Sequence, residues 1–276
     1  VGVKDVLRSK EWLEYRIKIF KKYTLQSLEQ QTKKGFTLWL SFKPAEYNDV
    51  LIKELEQYLK EKNITTIMTF DGLMYWDDKY STDLKSRIKN IARIIRSHVR
   101  SHSIRGFTKH LICGLKDKNK TLPRRLKNTL GVLQGILGKS DWIYVTRIDS
   151  DDMFHKDAVY EIQNMPAFKG VYVYEKGYIY NESTKELAEW LPKTNPPFHT
   201  IIFPYYAFFN RIMYLNYFKD WKSHEDTTKV FHSRKLQDYK YCVLVHSTEK
   251  QISTVWKHPF RGKIVDKEIL KDFGIQ

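Results

Sequence analysis

The sequence has few cysteines and no long apolar run. Its two cysteines, Cys113 and Cys242, have no metal-type spacing and stand beside apolar residues, which excludes a disulfide scaffold and predicts two reduced, buried thiols. The longest apolar stretch, Ile201–Phe209, is interrupted by Pro204 and is shorter than the roughly 18 residues of a membrane span. No signal-peptide pattern is recognised, so we expect a cytoplasmic protein, with peripheral attachment to the inner membrane surface as a variant of that expectation.

Acidic residues are also scarce relative to basic ones. The 276 residues include 48 Lys and Arg but only 32 Asp and Glu, giving a net charge of +16. Such an excess favours anionic partners such as phosphates, nucleic acid or an acidic membrane surface. With 42% hydrophobic and 29% charged residues, the composition is that of a globular protein and excludes a disordered chain.

Hydrophobic periodicity predicts alternating helices and strands. The patterns predict helices over 10–31, 49–62, 82–98, 126–137, 157–165 and 266–273, and strands over 36–42, 64–70 and 140–148. Residues 170–180 alternate in the manner of an antiparallel strand pair that turns at Glu175–Gly177. The order predicts one α/β domain, parallel in its first part and mixed in its second.

An acidic cluster follows the predicted strand 140–148. Asp149, Ser150, Asp151 and Asp152 come directly after the run WIYVTRI. Ligands of open α/β sheets bind at the carboxyl ends of strands, where alternate carboxylates can converge on Mg²⁺ or Mn²⁺. The pattern therefore favours a metal or nucleotide site, and the alternative is a solvated turn or a helix N-cap.

Two blocks resemble family-2-like glycosyltransferases with the GT-A fold. The run LKNTLGVLQGILGKSDWIYVTRIDSDD is similar to their "RN-x-G … G-x-Y-I-x-F-L-D-x-D-D" segment. EWLEYRIKIFKKYTLQSLEQQTKKGF is more closely similar to the "W-L-x-x-R-x-x-x-F-x-x-Y-x-L-x-S-L-x-x-Q-T-x-x-x-F" block of the rhamnosyltransferase branch. The resemblance implies a single GT-A-like, Rossmann-like nucleotide-binding domain over 1–276 with a mixed, mainly parallel central sheet flanked by helices. Residues of about 1–152 would bind the nucleotide sugar and residues 153–276 the acceptor.

The resemblance also implies roles for the acidic cluster. Asp149 and Asp151 match the DxD pair, which would hold the metal ion and the ribose–diphosphate. Asp152 matches the additional aspartate near the donor sugar. The implied cofactor is Mn²⁺ or Mg²⁺, and the implied co-substrate is a UDP-, dTDP- or GDP-linked sugar.

Three further residues are candidates for donor contacts by the same resemblance, and Arg261 is a candidate because it lies just beyond His258. Lys127 and Asn128 stand where the family has Arg-Asn, which would touch the diphosphate or the base. Ser41 ends the second family strand, where the family often has acids that contact the nucleoside. Arg261, together with Lys263, could close over the diphosphate, with solvated surface charge as the alternative.

An inverting transfer requires a carboxylate that takes the proton of the acceptor hydroxyl. The SHED segment resembles the family's late "E-D" motif, so Asp226 is the first candidate and Glu225 the second. The alternative is that these acids open a helix. For a late metal or phosphate ligand, His258 is the first candidate and His246 the second, and a structural histidine is the alternative for either.

The leading hypothesis is a metal-dependent glycosyltransferase of the hexosyltransferase class, and inversion is expected. Its acceptor would be a polysaccharide or glycolipid precursor, or modified DNA, whose polyanionic backbone suits the positive charge. Two alternatives remain: a non-catalytic nucleic-acid-binding domain and a metal-dependent nucleotidyltransferase. A nucleic-acid-binding domain does not explain the acidic cluster at a strand end. For a nucleotidyltransferase, the sequence shows no glycine-rich phosphate loop.

Overall fold

The computed structural model describes residues 10–42, 46–70, 129–192, 198–218, 224–246, 256–257 and 260–275. The predicted helix 82–98 and the residues Cys113, Lys127, Asn128 and His258 lie outside these ranges. Within them, no helix is long and apolar enough to cross a membrane.

The first described element is helical, as predicted. Helix α1 (Lys10–Ile19) continues through a π-helical stretch (Phe20–Thr24) into α2 (Leu25–Glu29). The apolar residues of this segment pack into the protein interior, because they recur at helical spacing on one face. The buried ones include Leu13, Ile19, Phe20, Tyr23, Leu25 and Leu28. The π-helical stretch was not predicted.

A βαβ unit follows. Strands β1 (Leu38–Ser41) and β2 (Thr66–Thr69) pair in parallel and are joined by α3 (Val50–Glu61). The side chain of Asp49 caps α3 by accepting a 2.9 Å hydrogen bond from the Leu51 N–H, which satisfies one otherwise unpaired donor of the first turn. The predictions for these three elements are confirmed, with shorter strands than expected.

The remaining strands form two mixed sheets. These strands are β3 Trp142–Thr146, β4 Met153–Phe154, β5 Gly170–Tyr174, β6 Gly177–Asn181, β7 Glu186–Trp190, β8 His199–Pro204, β9 Ser233–Leu236, β10 Tyr241–Val245 and β11 Arg261–Val265. The four-stranded sheet has the order β3-β8-β5-β9, and the five-stranded sheet has the order β11-β7-β6-β10-β4. Of these pairs, β5 with β9 and β6 with β10 are parallel and the others antiparallel. The α/β class is confirmed, but the described sheets are mixed rather than mainly parallel.

The predicted pairing within 170–180 is wrong. β5 lies in the four-stranded sheet and β6 in the five-stranded one. Every residue of β5 is buried, and the strand has β8 on one side and β9 on the other, so it has no free edge for β6. The chain therefore leaves one sheet at Tyr174 and enters the other at Gly177.

Helices connect the strands of the second half. Residues 129–136 are helical, and Ala158–Asn164 confirms the helix predicted over 157–165. The predicted terminal helix is a 3-10 helix, Lys267–Phe273. The other helices are Tyr205–Phe209, Arg211–Tyr217 and Thr227–Val230, and a 3-10 turn spans His224–Asp226.

The apolar interior draws on both halves of the chain. One buried cluster combines Phe20 and Leu38 with Phe154, Tyr174 and other residues of the second half. Within it the Phe198 and Tyr241 rings stack with centroids 3.9 Å apart. Cys242 is a buried free thiol, as expected for that cysteine.

Candidate active site

The acidic cluster forms the loop between β3 and β4. β3 ends at Thr146 and β4 begins at Met153, so the four residues 149–152 lie beyond the carboxyl end of β3. The Asp152 N–H donates to the Asp149 carbonyl at 3.1 Å and closes the loop into a turn. The side chains of the loop then point to different partners.

Asp151 lies in a buried cluster with Arg16 and His246. Arg16, on α1, donates from Nη1 to Asp151 Oδ2 at 2.7 Å, and His246, which follows β10, places Nε2 3.1 Å from the same oxygen. The side chain of Asp151 is 9% exposed and that of His246 is fully buried. Three segments that are distant in the sequence therefore meet at one carboxylate oxygen.

The surroundings keep Asp151 ionised. Burial alone would raise the pKa of its carboxyl, but the hydrogen bond from His246 and the positive charge of Arg16 outweigh burial, so the pKa is lowered from the ordinary value of 3.8. Because an ionised carboxylate only accepts hydrogen bonds, Nε2 of His246 carries the proton of this contact. Nδ1 of His246 lies 3.4 Å from the Tyr15 hydroxyl.

The guanidinium of Arg16 also holds the loop by a second contact. Its Nη2 donates to Ser150 Oγ at 2.7 Å while Nη1 binds Asp151. The Trp12 ring centroid lies 5.7 Å from the guanidinium carbon, on the same helix. The planar fork of arginine can make both contacts at once, which fixes two successive loop residues relative to α1.

Asp149 has its own arginine. Arg147 donates to Asp149 Oδ1 from Nε at 3.0 Å and from Nη2 at 2.8 Å, and Nη2 also lies 3.1 Å from Oδ2. The Arg147 side chain is 11% exposed and that of Asp149 is 38% exposed. Asp149 is therefore the most exposed of the three carboxylates of the loop.

Asp152 serves the packing of the loop against the neighbouring sheet. Its Oδ1 accepts the backbone N–H of Leu244 at 3.0 Å, and the residue is 5% exposed. This bond attaches the loop to β10, the strand that leads to His246. The contact with the donor sugar that the resemblance implies for Asp152 stays a prediction.

The described residues do not fit a resident divalent cation as they are placed. Among the ranges that the structure describes, no group of three or more His, Cys, Asp or Glu side chains could hold a metal ion. Asp149 and Asp151, the two ligands implied by the resemblance, are each occupied by an arginine. His258, the third expected ligand, lies outside the described residues.

The candidate bases lie in a turn that precedes β9. Asp226 ends a 3-10 turn, and its carboxylate forms a 3.0 Å ion pair with Lys229. Glu225 lies in the same turn. β9, the strand that follows, is separated from β3 by β8 and β5. Asp226 is the N-cap residue of the helix Thr227–Val230, so the backbone agrees with the alternative that these acids open a helix.

Two other donor candidates lie apart from Asp151. Arg261 is on β11, opposite Trp190, three strands from β10. Trp190 of β7 pairs in turn with Gly177 at the start of β6. His246 instead follows Val245 of β10, which pairs with Asn181 at the end of β6. Arg261 and His246 therefore lie toward opposite ends of β6. The Arg261 guanidinium carbon lies 5.0 Å from the Trp256 ring centroid. Ser41 is exposed at the end of β1, as predicted, and Lys127 and Asn128 lie outside the described residues.

Arg16 and Arg147 are site residues that the sequence alone did not single out. Arg16 is the arginine of the W-L-x-x-R block, so the signal was present in the motif, but no role followed from the motif alone. His246, the second candidate for a late ligand, is the histidine that the structure places against Asp151.

Comparison with known proteins gives one match. A sequence model of the family described as "Putative rhamnosyl transferase" matches residues 4–73. No curated protein and no solved structure matches the chain. The matched segment includes Arg16 and ends before the acidic loop. The match supports similarity to a rhamnosyltransferase-like glycosyltransferase.

Proposed function

We propose that this protein is a glycosyltransferase that moves a sugar from a nucleotide-sugar donor to an acceptor hydroxyl. The observation that carries the proposal is the pair of contacts from Arg16 to Ser150 and Asp151. Arg16 belongs to the segment that matches the rhamnosyl transferase family, and the two loop residues lie outside it. The contacts join the family segment to the acidic loop in one site. The matched family makes rhamnose the first donor sugar to test.

The donor binds at the carboxyl end of β3 in this proposal. The Arg147 guanidinium and the Ser150 hydroxyl line the loop and are suited to bind a diphosphate, because guanidinium N–H groups match phosphate oxygens. Asp149 is accessible enough to accept hydrogen bonds from ribose hydroxyls. The GT-A fold belongs to this proposal and follows from the sequence resemblance.

The acceptor hydroxyl requires a base. We assign this role to Asp226, with Glu225 as the second candidate, and propose that the transfer inverts the anomeric configuration. In this proposal the bound donor and acceptor together span the space between the loop 149–152 and the turn 224–226. The acceptor classes remain a polysaccharide or glycolipid precursor and modified DNA, in keeping with the net charge of +16.

A thermal-shift panel tests the proposal. The probes are UDP, dTDP, GDP and their sugar conjugates, because a ligand that binds only the folded state raises the melting temperature. We expect one nucleotide to raise it, and Asp149→Asn and Ser150→Ala to reduce that shift. Asp141→Asn is the matched control, since Asp141 is exposed and precedes the opposite end of β3.

The reaction product separates this proposal from a nucleotidyltransferase. A glycosyltransferase releases the nucleoside diphosphate from the donor, whereas a nucleotidyltransferase releases pyrophosphate. Release of the nucleoside diphosphate upon sugar transfer would support the proposal. A panel in which no nucleotide or nucleotide sugar shifts the melting temperature would contradict it.

A further inference from the structure

The acidic loop has two carboxylates that a divalent cation would neutralise, and both are already neutralised. Arg16 lies 2.7 Å from Asp151, and Arg147 lies 2.8 Å from Asp149. Two guanidinium groups carry together the same charge as one divalent ion. Opposite charges at these distances remove the repulsion that unpaired carboxylates would exert on a diphosphate.

Arg16 also occupies the side of Asp151 Oδ2 that faces His246. Its Nη1 is 2.7 Å from Asp151 Oδ2 and 3.4 Å from His246 Nε2, and Nε2 is 3.1 Å from Oδ2, so the three atoms form a close triangle that a cation shared by Asp151 Oδ2 and His246 would have to open. Asp151 and His246 are buried, and Nε2 already binds Asp151. An entering cation would have to displace a guanidinium from a nearly water-free carboxylate, and leaving that guanidinium unpaired would be unfavourable.

Asp149 is likewise paired with an arginine, Arg147. Arg147 binds this carboxylate through Nε and Nη2 in a fork that covers Oδ1 and reaches Oδ2. The Arg147 side chain is largely buried, whereas that of Asp149 is 38% exposed, so the protein fixes the guanidinium and leaves part of the carboxylate open to solvent. Both DxD carboxylates are therefore oriented by side chains of the protein itself.

We infer that Arg16 and Arg147 take the place of a divalent cation in this site, and that a nucleoside diphosphate binds without Mn²⁺ or Mg²⁺. The inference rests on the proposed function and replaces the metal dependence expected from the sequence resemblance. Arg16 is a positioning residue here: it orients Asp151 and Ser150 for the donor. Arg147, which holds the more exposed of the two carboxylates, contacts the diphosphate on that side of the loop.

The first test compares the thermal shift produced by UDP, dTDP and GDP in EDTA and in Mn²⁺. We expect the nucleotide that binds to give the same shift in both media. A shift that appears only with Mn²⁺ would overturn the inference and leave the glycosyltransferase proposal intact. No shift in either medium would overturn both, so the two failures are distinguishable.

A matched pair of variants separates the positioning role from a purely structural one. In Arg16→Gln the loop loses the cation that neutralises Asp151 and keeps Arg147, so we expect the nucleotide shift to be lost in EDTA and restored in Mn²⁺. Lys18→Gln, an exposed position on the same helix, should keep the shift in both media. A purely structural role would lower the melting temperature of the free protein without creating a dependence on Mn²⁺. An Arg16→Gln protein that retains its shift in EDTA would contradict the inference.

Mn²⁺ electron paramagnetic resonance on the wild-type protein provides a test that does not depend on a variant folding. We expect the protein to remove no more Mn²⁺ from the free signal in the presence of the bound nucleotide than the nucleotide alone removes. A fall in the free signal beyond that level would show a cation held by the protein and would overturn the inference.

Discussion

Arg16 and Asp151 are 135 residues apart in the sequence, and their side chains meet at 2.7 Å. Arg16 belongs to the first described helix and Asp151 to the loop after β3. His246, from the end of β10, lies 3.1 Å from the same Asp151 oxygen. One carboxylate thus ties together the family-matched helix, the acidic loop and the five-stranded sheet, so changes at either residue should affect both stability and donor binding.

Loss of Arg16 should destabilise the fold. In Arg16→Met, Asp151 keeps His246 but loses the guanidinium, and removing one member of a buried ion pair costs roughly 3 kcal/mol of unfolding free energy. Urea denaturation measures this loss, with Lys18→Met as the exposed control on the same helix. Adding Asp151→Asn to Arg16→Met should cost less than the sum of the single changes, because the two residues are coupled. Additive losses would show that the contact contributes little.

Asp152 should be required for stability. Asp152→Ala leaves the buried Leu244 N–H without its acceptor, and losing a hydrogen bond to a charged group costs about 2 kcal/mol. Asp152→Asn retains an acceptor oxygen and should cost less. Equal losses in the two variants, measured by urea denaturation, would argue against the bond to Leu244 as the cause.

Gly177 should tolerate no side chain. A Cβ built at this position would lie 2.4 Å from the nearest Tyr241 ring atom, and Tyr241 is itself stacked on Phe198 and cannot easily move. We expect Gly177→Ala to lower the unfolding free energy by about 2 kcal/mol, the usual range for overpacking. In contrast, a Cβ at Gly131, in the helical stretch 129–136, meets nothing within 4 Å. Gly131→Ala should therefore raise the unfolding free energy by up to about 1 kcal/mol.

His155 should make the fold sensitive to mildly acidic pH. Burial and then the charge of Lys240 lower the pKa of its imidazole from 6.5, more than Asp272 and Asp157 raise it. The unfolded chain binds the proton more readily than the folded chain, so stability falls as pH falls through and below about 6.5. Unfolding free energies between pH 7 and 5 should decline less in His155→Gln than in the wild type. His232→Gln, at an exposed histidine, should leave the wild-type slope unchanged.

The secondary structure was largely accessible from sequence because most described elements carry a simple pattern. Helix α3 begins after a capping aspartate and has its apolar residues at helical spacing, so both its start and its buried face were predictable. Strand partners were less accessible. The alternation in residues 170–180 marks two strands, but which sheet each joins depends on β8, β9 and β10, which come later in the chain.

The position of the acidic loop was predictable, but its partners were not. A strand followed by DSDD places the carboxylates at a strand end, and the structure has them there. The role of Arg16 depends on a contact across 135 residues, and on the sequence it is one basic residue among many on a helix. The role of His246 likewise depends on a distant contact, since the packing of β10 against the loop brings His246 to Asp151.

Hydrogen–deuterium exchange with and without the nucleotide sugar that gives the largest thermal shift tests the location of the donor site most directly. We expect slower exchange in peptides that cover residues 10–19, 146–152 and 241–246, which meet around Asp151. Slower exchange confined to other segments, such as 261–265 at the far edge of the five-stranded sheet, would contradict this location.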